Sequence, residues 1–231
     1  MQQMTALDKM YIVLCAFFSV LIVICNLTYQ KFVYLPILPF HTFELSVGAI
    51  LYPLMFMLTD LIAEFYDKKR ANFCVRLAIA MNIVAALIVT GMDTLQATPW
   101  SKIDNTLFHQ VFGLYGLGFI AIIVACYTAQ IIDIALYLWI KKLTKDKWLW
   151  LRNNGSTAIS LFVDTFTAIS FLTLLGIFPK EHFWLIILNS YSYKLFATVC
   201  NTPVFYLLVG MIKRFIVPKK VLLAEPLLNT A

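Results

Sequence analysis

Two apolar stretches joined by a basic loop each carry an aspartate with a neutral polar residue about one helical turn before it. Gln130 precedes Asp133 by three residues, and Ser160 precedes Asp164 by four. Residues at these spacings share a helix face, so each set can project into one cavity. A carboxylate near the centre of a bilayer costs roughly 2.5–3.5 kcal/mol on insertion scales. Two such costs on consecutive helices require a functional reason.

The composition is that of a polytopic membrane protein. Of the 231 residues, 61% are hydrophobic and 13% are charged, whereas soluble domains average about half apolar and about a quarter charged. The formal charge of +6 would favour nucleic acid as a partner of a soluble protein. Here the basic residues cluster between apolar runs, where they act as topology signals. The sequence therefore predicts a single transmembrane domain over residues 1–231 that contacts lipid and no nucleic acid.

The lengths of the apolar runs give the number of spans. A helix that crosses a bilayer needs about 20 mostly apolar residues. The sequence predicts an all-α fold, a bundle of six transmembrane helices followed by a short disordered tail after residue 217. The predicted helices lie roughly at 9–30, 43–64, 73–95, 113–140, 157–178 and 183–212.

The distribution of the 18 lysines and arginines predicts the orientation. Lys31, Lys102 and Lys180 fall on one side of the predicted bundle, and Lys194 falls inside a span. All the others lie at or near the connections and termini of the opposite side, which the positive-inside rule places in the cytoplasm. Both termini are therefore predicted to be cytoplasmic.

Polar residues in the other predicted spans enlarge the candidate site. Asp60 and Glu64 are four residues apart and share a helix face, although Glu64 also fits an interfacial role opposite the basic residues that follow it. Lys194 lies deep in the last span, where we expect it to pair with Asp60, Asp133 or Asp164, because intramembrane charges pair with one another. Asn26 and Asn201 add neutral groups.

The short loop before the fifth predicted helix contributes the remaining candidates. Asn153-Asn-Gly-Ser156 fits a helix N-cap, and Arg152 beside it could form a polar cytoplasmic mouth. Tyr191 and other aromatic residues on the same spans, including Phe162, Phe166 and Phe171, could stack on a flat ring. The predicted substrate-binding residues are Asn26, Asp60, Glu64, Gln130, Asp133, Arg152, Ser160, Asp164, Tyr191, Lys194 and Asn201.

The chemistry of this set favours binding over catalysis. An ionised carboxylate only accepts hydrogen bonds, so a pocket with more acids than bases suits a ligand rich in N–H donors. The sequence contains no His-Glu-x-x-His motif, nucleophile elbow or phosphate-binding glycine loop. The five cysteines include no Cys-x-x-Cys pair, which argues against a zinc site. We therefore expect a protein that is not an enzyme and has no cofactor or metal.

The same residues carry a family resemblance that covers most of the chain. The order and spacing of several short motifs resemble the queuosine precursor transporter family, of the YhhQ type, which is also called vitamin uptake transporter-like. The motifs are Thr59-Asp60-Leu61 with Glu64-x-Tyr66, Gln130-x-x-Asp133, Leu151-Arg-x-x-Gly-Ser-Thr157, Asp164-Thr165, Tyr191-x-x-Lys194 and Thr202-Pro-x-x-Tyr206.

The resemblance implies a six-helix protein of the bacterial inner membrane that imports 7-deazaguanines for salvage into modified tRNA. The implied substrates are 7-cyano-7-deazaguanine, 7-aminomethyl-7-deazaguanine and queuine. On this basis Asp133 and Asp164 are expected to face the ligand's donors, Gln130 to read a carbonyl or ring nitrogen, and Lys194 to balance charge. Leu161 departs from the Gln or Asn of many relatives, which leaves the preferred base open.

Two other classes of function remain as alternatives. The chain could be the substrate-binding subunit of an energy-coupling-factor type transporter, which would need an ATP-driven partner. Its first helix offers only Ala16 and Ser19 as small contact residues, which argues mildly against this. A purely structural membrane subunit would not explain the intramembrane charges. Proton coupling, facilitated diffusion and homo-oligomer formation are all left open by the sequence.

Overall fold

The computed structural model of the chain describes residues 4–39, 41–113 and 117–216. Its helices are α1 (Ala6–Thr28), α2 (Val47–Ile50), α3 (Tyr52–Phe65), α4 (Lys68–Asp93), α5 (Asn105–Phe112), α6 (Leu117–Leu143), α7 (Leu149–Leu174) and α8 (Phe183–Phe215). Six helical segments, α1, α2 with α3, α4, α6, α7 and α8, are long and apolar enough to cross a membrane. The predicted number of six helices with the length and composition of a membrane span is confirmed within the described residues, and the tail predicted after residue 217 lies outside them.

Side-chain caps begin two of these helices where the sequence changes from polar to apolar. Thr5 caps α1 in a capping box with Asp8, each residue bonding the backbone N–H of the other. Asp67 caps α4 by accepting a hydrogen bond of 2.9 Å from the backbone N–H of Arg70. These caps place the basic run 68–70 inside the first turn of α4 rather than in a loop.

A β-hairpin between α1 and α2 corrects the prediction of an all-α fold. Strands β1 (Phe32–Leu38) and β2 (His41–Ser46) pair antiparallel, so residues 43–46 are not the start of the second predicted helix. Phe43 and Leu45 are buried between exposed or half-buried neighbours. That alternation has the two-residue period of a strand with one buried face, and Phe43 packs edge-on against Tyr193 of α8.

Pro53 lies beside the break between α2 and α3 in the second span. It lies in the first turn of α3, where the lack of a backbone N–H is tolerated. The backbone N–H of Leu54 donates a hydrogen bond of 3.1 Å to the carbonyl oxygen of Leu51. The hydroxyl of Tyr193 donates to the carbonyl of Ile50 at 3.2 Å, so this interruption in an apolar environment keeps a hydrogen-bond partner.

Helix α7 begins earlier than the sequence predicted. It starts at Leu149, after Trp148 in a left-handed conformation with φ of 59°. Asn153 and Ser156 are buried within the helix, so the predicted cap at 153–156 is wrong. Arg152 consequently belongs to the helical bundle and not to a loop.

Helix α3 lies at the centre of the bundle. Nearly every residue from Tyr52 to Glu64 is buried, as expected of a helix that other helices surround. It packs against α1, α4, α6, α7 and α8. We call the end of the bundle with β1 and β2 the hairpin end, and the end with residues 144–148 the basic end.

Gly48 should be essential for the close approach of α1 and α2. A Cβ atom at this position would overlap the backbone carbonyl oxygen of Cys25, which cannot move as a flexible side chain would. We expect Gly48→Ala to lower the free energy of unfolding by about 1–3 kcal/mol, as overpacking typically does. The loss of stability is measured as a lower melting temperature of the purified protein in detergent. Gly91→Ala is the matched control, since a Cβ there meets nothing within 4 Å. Equal melting temperatures for the two variants would contradict the assignment.

Candidate functional site

A polar stripe along α7 organises the interior of the bundle. Arg152, Ser156, Ser160 and Asp164 follow one another at intervals of four residues, which places them on one helix face. None of them is more than 2% exposed. The stripe meets other polar side chains at three successive levels, which we call the cavity level, the acid level and the ion-pair level.

The cavity level lies toward the hairpin end. It contains a cavity of about 520 Å³ when the open space at its mouth is included. Most of its wall is apolar. Its aromatic lining consists of Tyr29, Phe32, Tyr52 and Phe178, and its polar lining includes Asn26, Ser46, Asp164, Thr165, Ser190 and Lys194.

An ion pair between α7 and α8 forms the floor of this cavity. The Lys194 ammonium donates to Asp164 at 2.8 Å and to the hydroxyl of Thr165 at 3.0 Å. It also lies 4.1 Å from the centre of the Tyr52 ring, in the geometry of a cation–π contact. The lysine is thus held on three sides, and the expectation that it pairs with an intramembrane aspartate is confirmed for Asp164.

Several polar atoms at the cavity level have no partner within the described structure. The second carboxylate oxygen of Asp164 and the amide nitrogen of Asn26 are both buried and unbonded. The carboxylate oxygen of Asp164 can only accept a hydrogen bond, and the amide nitrogen of Asn26 can only donate one. The buried hydroxyl of Tyr29 is also unbonded, and burial raises its pKa, so it stays protonated and can donate. Leaving such groups unpaired is costly, which favours a ligand with both donors and acceptors.

The acid level lies one helical turn deeper. The carboxyl groups of Asp60 on α3 and Asp133 on α6 face each other, and neither residue is exposed. Thr157 donates to Asp60 at 3.4 Å. Gln130 accepts a hydrogen bond of 2.9 Å from Thr59 through its amide oxygen, and its amide nitrogen is buried without a partner. None of these side chains lines the cavity described above.

The ion-pair level closes the basic end. Arg152 donates to Glu64 at 2.6 Å, and both side chains are 2% exposed. The hydroxyl of Tyr137 lies between them, donating to Glu64 at 3.0 Å and accepting from Arg152 at 3.3 Å. Lys141 adds a second cation at 3.3 Å from Glu64. Glu64 therefore forms ion pairs with Arg152 and Lys141. The alternative from the sequence, in which Glu64 pairs with the basic residues 68–70 that follow it, is wrong.

The predicted site residues fall at different levels rather than in one pocket. The cavity level receives Asn26, Asp164 and Lys194. The acid level receives Asp60, Gln130, Asp133 and Ser160, and the ion-pair level receives Glu64 and Arg152. Tyr191 is half-buried and donates to the carbonyl of Ala158 at 3.2 Å, and Asn201 is half-buried on α8; neither lines the cavity.

The aromatic residues around the cavity differ from those considered in the sequence. Phe162, Phe166 and Phe171 lie on the outside of the bundle, between 41% and 48% exposed, and do not line the cavity. Tyr52 and Tyr137 were missed because an isolated tyrosine in an apolar span looks like a packing residue. Their positions gave a signal: Tyr52 lies about two helical turns before Asp60 on α3, and Tyr137 follows Asp133 by four residues on α6.

Removal of the buried cation Arg152 should destabilise the protein much more than removal of an exposed cation beside the same carboxylate of Glu64. Arg152→Gln leaves Glu64 without its closest counter-ion in an apolar interior, which typically costs about 3–5 kcal/mol. Lys141 offsets part of that cost. Lys213→Gln is the control, because Lys213 lies 3.7 Å from the same carboxylate but is 48% exposed. We expect a clearly lower melting temperature in detergent for Arg152→Gln and almost no change for Lys213→Gln. Similar values for the two would show that burial of the pair contributes little.

Comparison with known proteins agrees with the resemblance read from the motifs. The family model described as putative vitamin uptake transporter matches residues 46–208. A probable queuosine precursor transporter of Bacillus subtilis (strain 168) is 29% identical over 170 residues, which is 72% of this chain and 72% of that relative. No solved structure matches. Because the family model covers well over half of the chain, this multi-pass membrane protein belongs to the putative vitamin uptake transporter family.

Proposed function

We propose that the chain imports a queuosine precursor, a 7-deazaguanine base, across the bacterial inner membrane. The name of the Bacillus subtilis relative supports the substrate class. The observation that carries the proposal to this chain is the cavity with Asp164 and Asn26 on its polar side. We place both termini in the cytoplasm from the positive-inside rule, so the cavity opens toward the outside.

The cavity supplies groups that match a guanine-like edge. Such an edge offers adjacent N–H donors together with a carbonyl acceptor. The free oxygen of Asp164 can accept from the donors, and the amide nitrogen of Asn26 can donate to an acceptor. Lys194 is already held by Asp164, Thr165 and Tyr52, so its role is to keep the carboxylate ionised and oriented. Tyr52 and Phe32 offer faces for a flat ring.

Uptake in a bacterial strain that can neither make queuosine nor import its precursors tests this function. The chain is expressed alone, and 7-cyano-7-deazaguanine, 7-aminomethyl-7-deazaguanine and queuine are supplied in turn at low concentration. Queuosine in tRNA is the readout. Restored modification identifies both the activity and the base. Tight binding in detergent without restored modification would favour a substrate-binding subunit that needs an ATP-driven partner. Neither binding nor restoration would reject the substrate class.

Asp164→Asn should lower uptake, and it should also lower the melting temperature because it leaves the buried Lys194 without its counter-ion. Replacing the carboxylate removes charge-assisted hydrogen bonds worth about 1.5–3 kcal/mol, so affinity for the base should fall by roughly 10- to 100-fold. Glu181→Gln is the matched control, since Glu181 is an exposed carboxylate near the same end of the bundle. Binding of each purified variant is measured by calorimetry, and uptake is measured as above. Equal affinity in Asp164→Asn and Glu181→Gln would remove Asp164 from the ligand site.

A further inference from the structure

The charges inside the bundle do not balance at the acid level. Lys194 is bound to Asp164 at the cavity level, and Arg152 and Lys141 are bound to Glu64 at the ion-pair level. Within the described part of the chain, no cation contacts Asp60 or Asp133 closely enough to form an ion pair. Two fully buried carboxyl groups therefore share one level of an apolar bundle without a counter-ion.

Hydroxyl groups surround Asp133, but the hydrogen bonds that they make in the structure go to other acceptors. The hydroxyls of Ser156, Ser160 and Thr157 surround this carboxyl group. A hydroxyl has one proton to donate, and these three are committed elsewhere: Ser156 to the carbonyl of Arg152, Ser160 to the carbonyl of Ser156, and Thr157 to Asp60.

Both oxygens of Asp133 and one oxygen of Asp60 are consequently buried without a hydrogen bond. The buried amide nitrogen of Gln130, one turn before Asp133 on the same face of α6, is a further unpartnered group at this level. Asp133 faces three hydroxyl groups and a second carboxyl group. A proton shared by the two carboxyl groups would let one of them donate a hydrogen bond to the other or to a hydroxyl oxygen.

We propose that Asp60 and Asp133 together form a proton-binding site that couples import of the base to entry of a proton. The inference rests on the proposed transport function and assigns the acid level to coupling rather than to ligand binding. Two adjacent carboxyl groups that cannot both stay ionised share a proton and titrate as a pair. Chains of buried acids are a recurrent form of proton relay in membrane transporters.

A proton fits this level better than a metal or a hydrated cation does. The cavity stops above it, and neither acid is exposed, whereas a proton occupies almost no volume. No group of three or more His, Cys, Asp or Glu side chains suited to a metal occurs among the described residues.

The surrounding charges show how the site can communicate with both ends of the bundle. On the basic side it faces Glu64 from α3 and Tyr137 from α6, and Glu64 in turn holds Arg152 from α7. An ionised acid pair repels Glu64, which competes with the Arg152–Glu64 contact at the basic end. A protonated pair removes that competition. On the hairpin side, Asp164 with Lys194 from α8 lies one turn beyond Ser160.

Transport assays in proteoliposomes that contain the purified protein distinguish proton coupling from binding of the base. Labelled 7-cyano-7-deazaguanine, 7-aminomethyl-7-deazaguanine or queuine is the probe, and a trapped pH dye reports proton entry. With the interior one pH unit more alkaline than the outside, one proton per neutral base supports accumulation of up to about tenfold. Exchange of labelled for unlabelled base needs no net proton movement. We expect Asp60→Asn and Asp133→Asn to exchange base like the wild type, yet to lose accumulation and the dye response. Asp164→Asn should lose exchange as well.

Several outcomes would overturn the inference. The first is that Asp133→Asn accumulates the base as well as the wild type does. The second is that a sodium gradient drives accumulation of the base by the wild type. The third is that the wild type only equilibrates the base across the membrane, without proton entry. Loss of exchange together with accumulation in the acid variants would return these acids to the ligand site. A wild type that exchanges none of the three bases would instead reject the proposed transport function.

A chemical probe on the wild type keeps the inference testable if the acid variants do not fold. Dicyclohexylcarbodiimide reacts with protonated carboxyl groups in apolar surroundings. Mass spectrometry should find it on Asp60 or Asp133, more at low pH than at high pH, and not on the ion-paired Asp164 or Glu64. Modification of Asp164 or Glu64 in preference to the acid pair would contradict a proton held at this level.

Discussion

The polar stripe on α7 is the constraint that shapes the rest of the bundle. Four buried polar side chains on one helix face cannot be left against lipid, because each unsatisfied group is costly there. Each side chain therefore meets other polar groups from neighbouring helices. Asp164 meets Lys194 of α8, Ser160 lies beside Asp133 of α6, and Arg152 meets Glu64 of α3. The position of α3 at the centre follows, since it supplies residues to all three levels.

The intramembrane charges could be predicted from the sequence because their cost allows few arrangements. A lysine within an apolar span needs an acid, and only three intramembrane aspartates were available to Lys194. The structure selects Asp164, which is reinforced by Thr165 and the Tyr52 ring. The separation of the polar set into levels could not be predicted, because it depends on how the helices are rotated and shifted against one another.

Local segments were predicted less well, for identifiable reasons. The stretch 153–156 has residue types typical of a helix N-cap. Its serine, however, belongs to the buried polar stripe of α7, whose members are four residues apart. Burial of that stripe outweighs the local preference for a cap. The hairpin was missed because the sequence predicted only a short connection between the helices at 9–30 and 43–64. In the structure, Phe43 and Leu45 pack on an apolar surface of α8 that makes a strand favourable. In both places tertiary contacts decide the local structure.

The three levels are connected mechanically as well as by charge. Tyr52, Asp60 and Glu64 all lie on α3, while Asp133 and Tyr137 are one turn apart on α6. A rigid helix that moves at the cavity must therefore also move at the ion pair. In the proposed mechanism, a base bound beside Asp164 and a proton bound between Asp60 and Asp133 act on the same helices as the Arg152–Glu64 contact. Closely packed elements change between discrete arrangements rather than deforming gradually. This architecture gives the proposed coupling a physical route that requires no contact between base and proton.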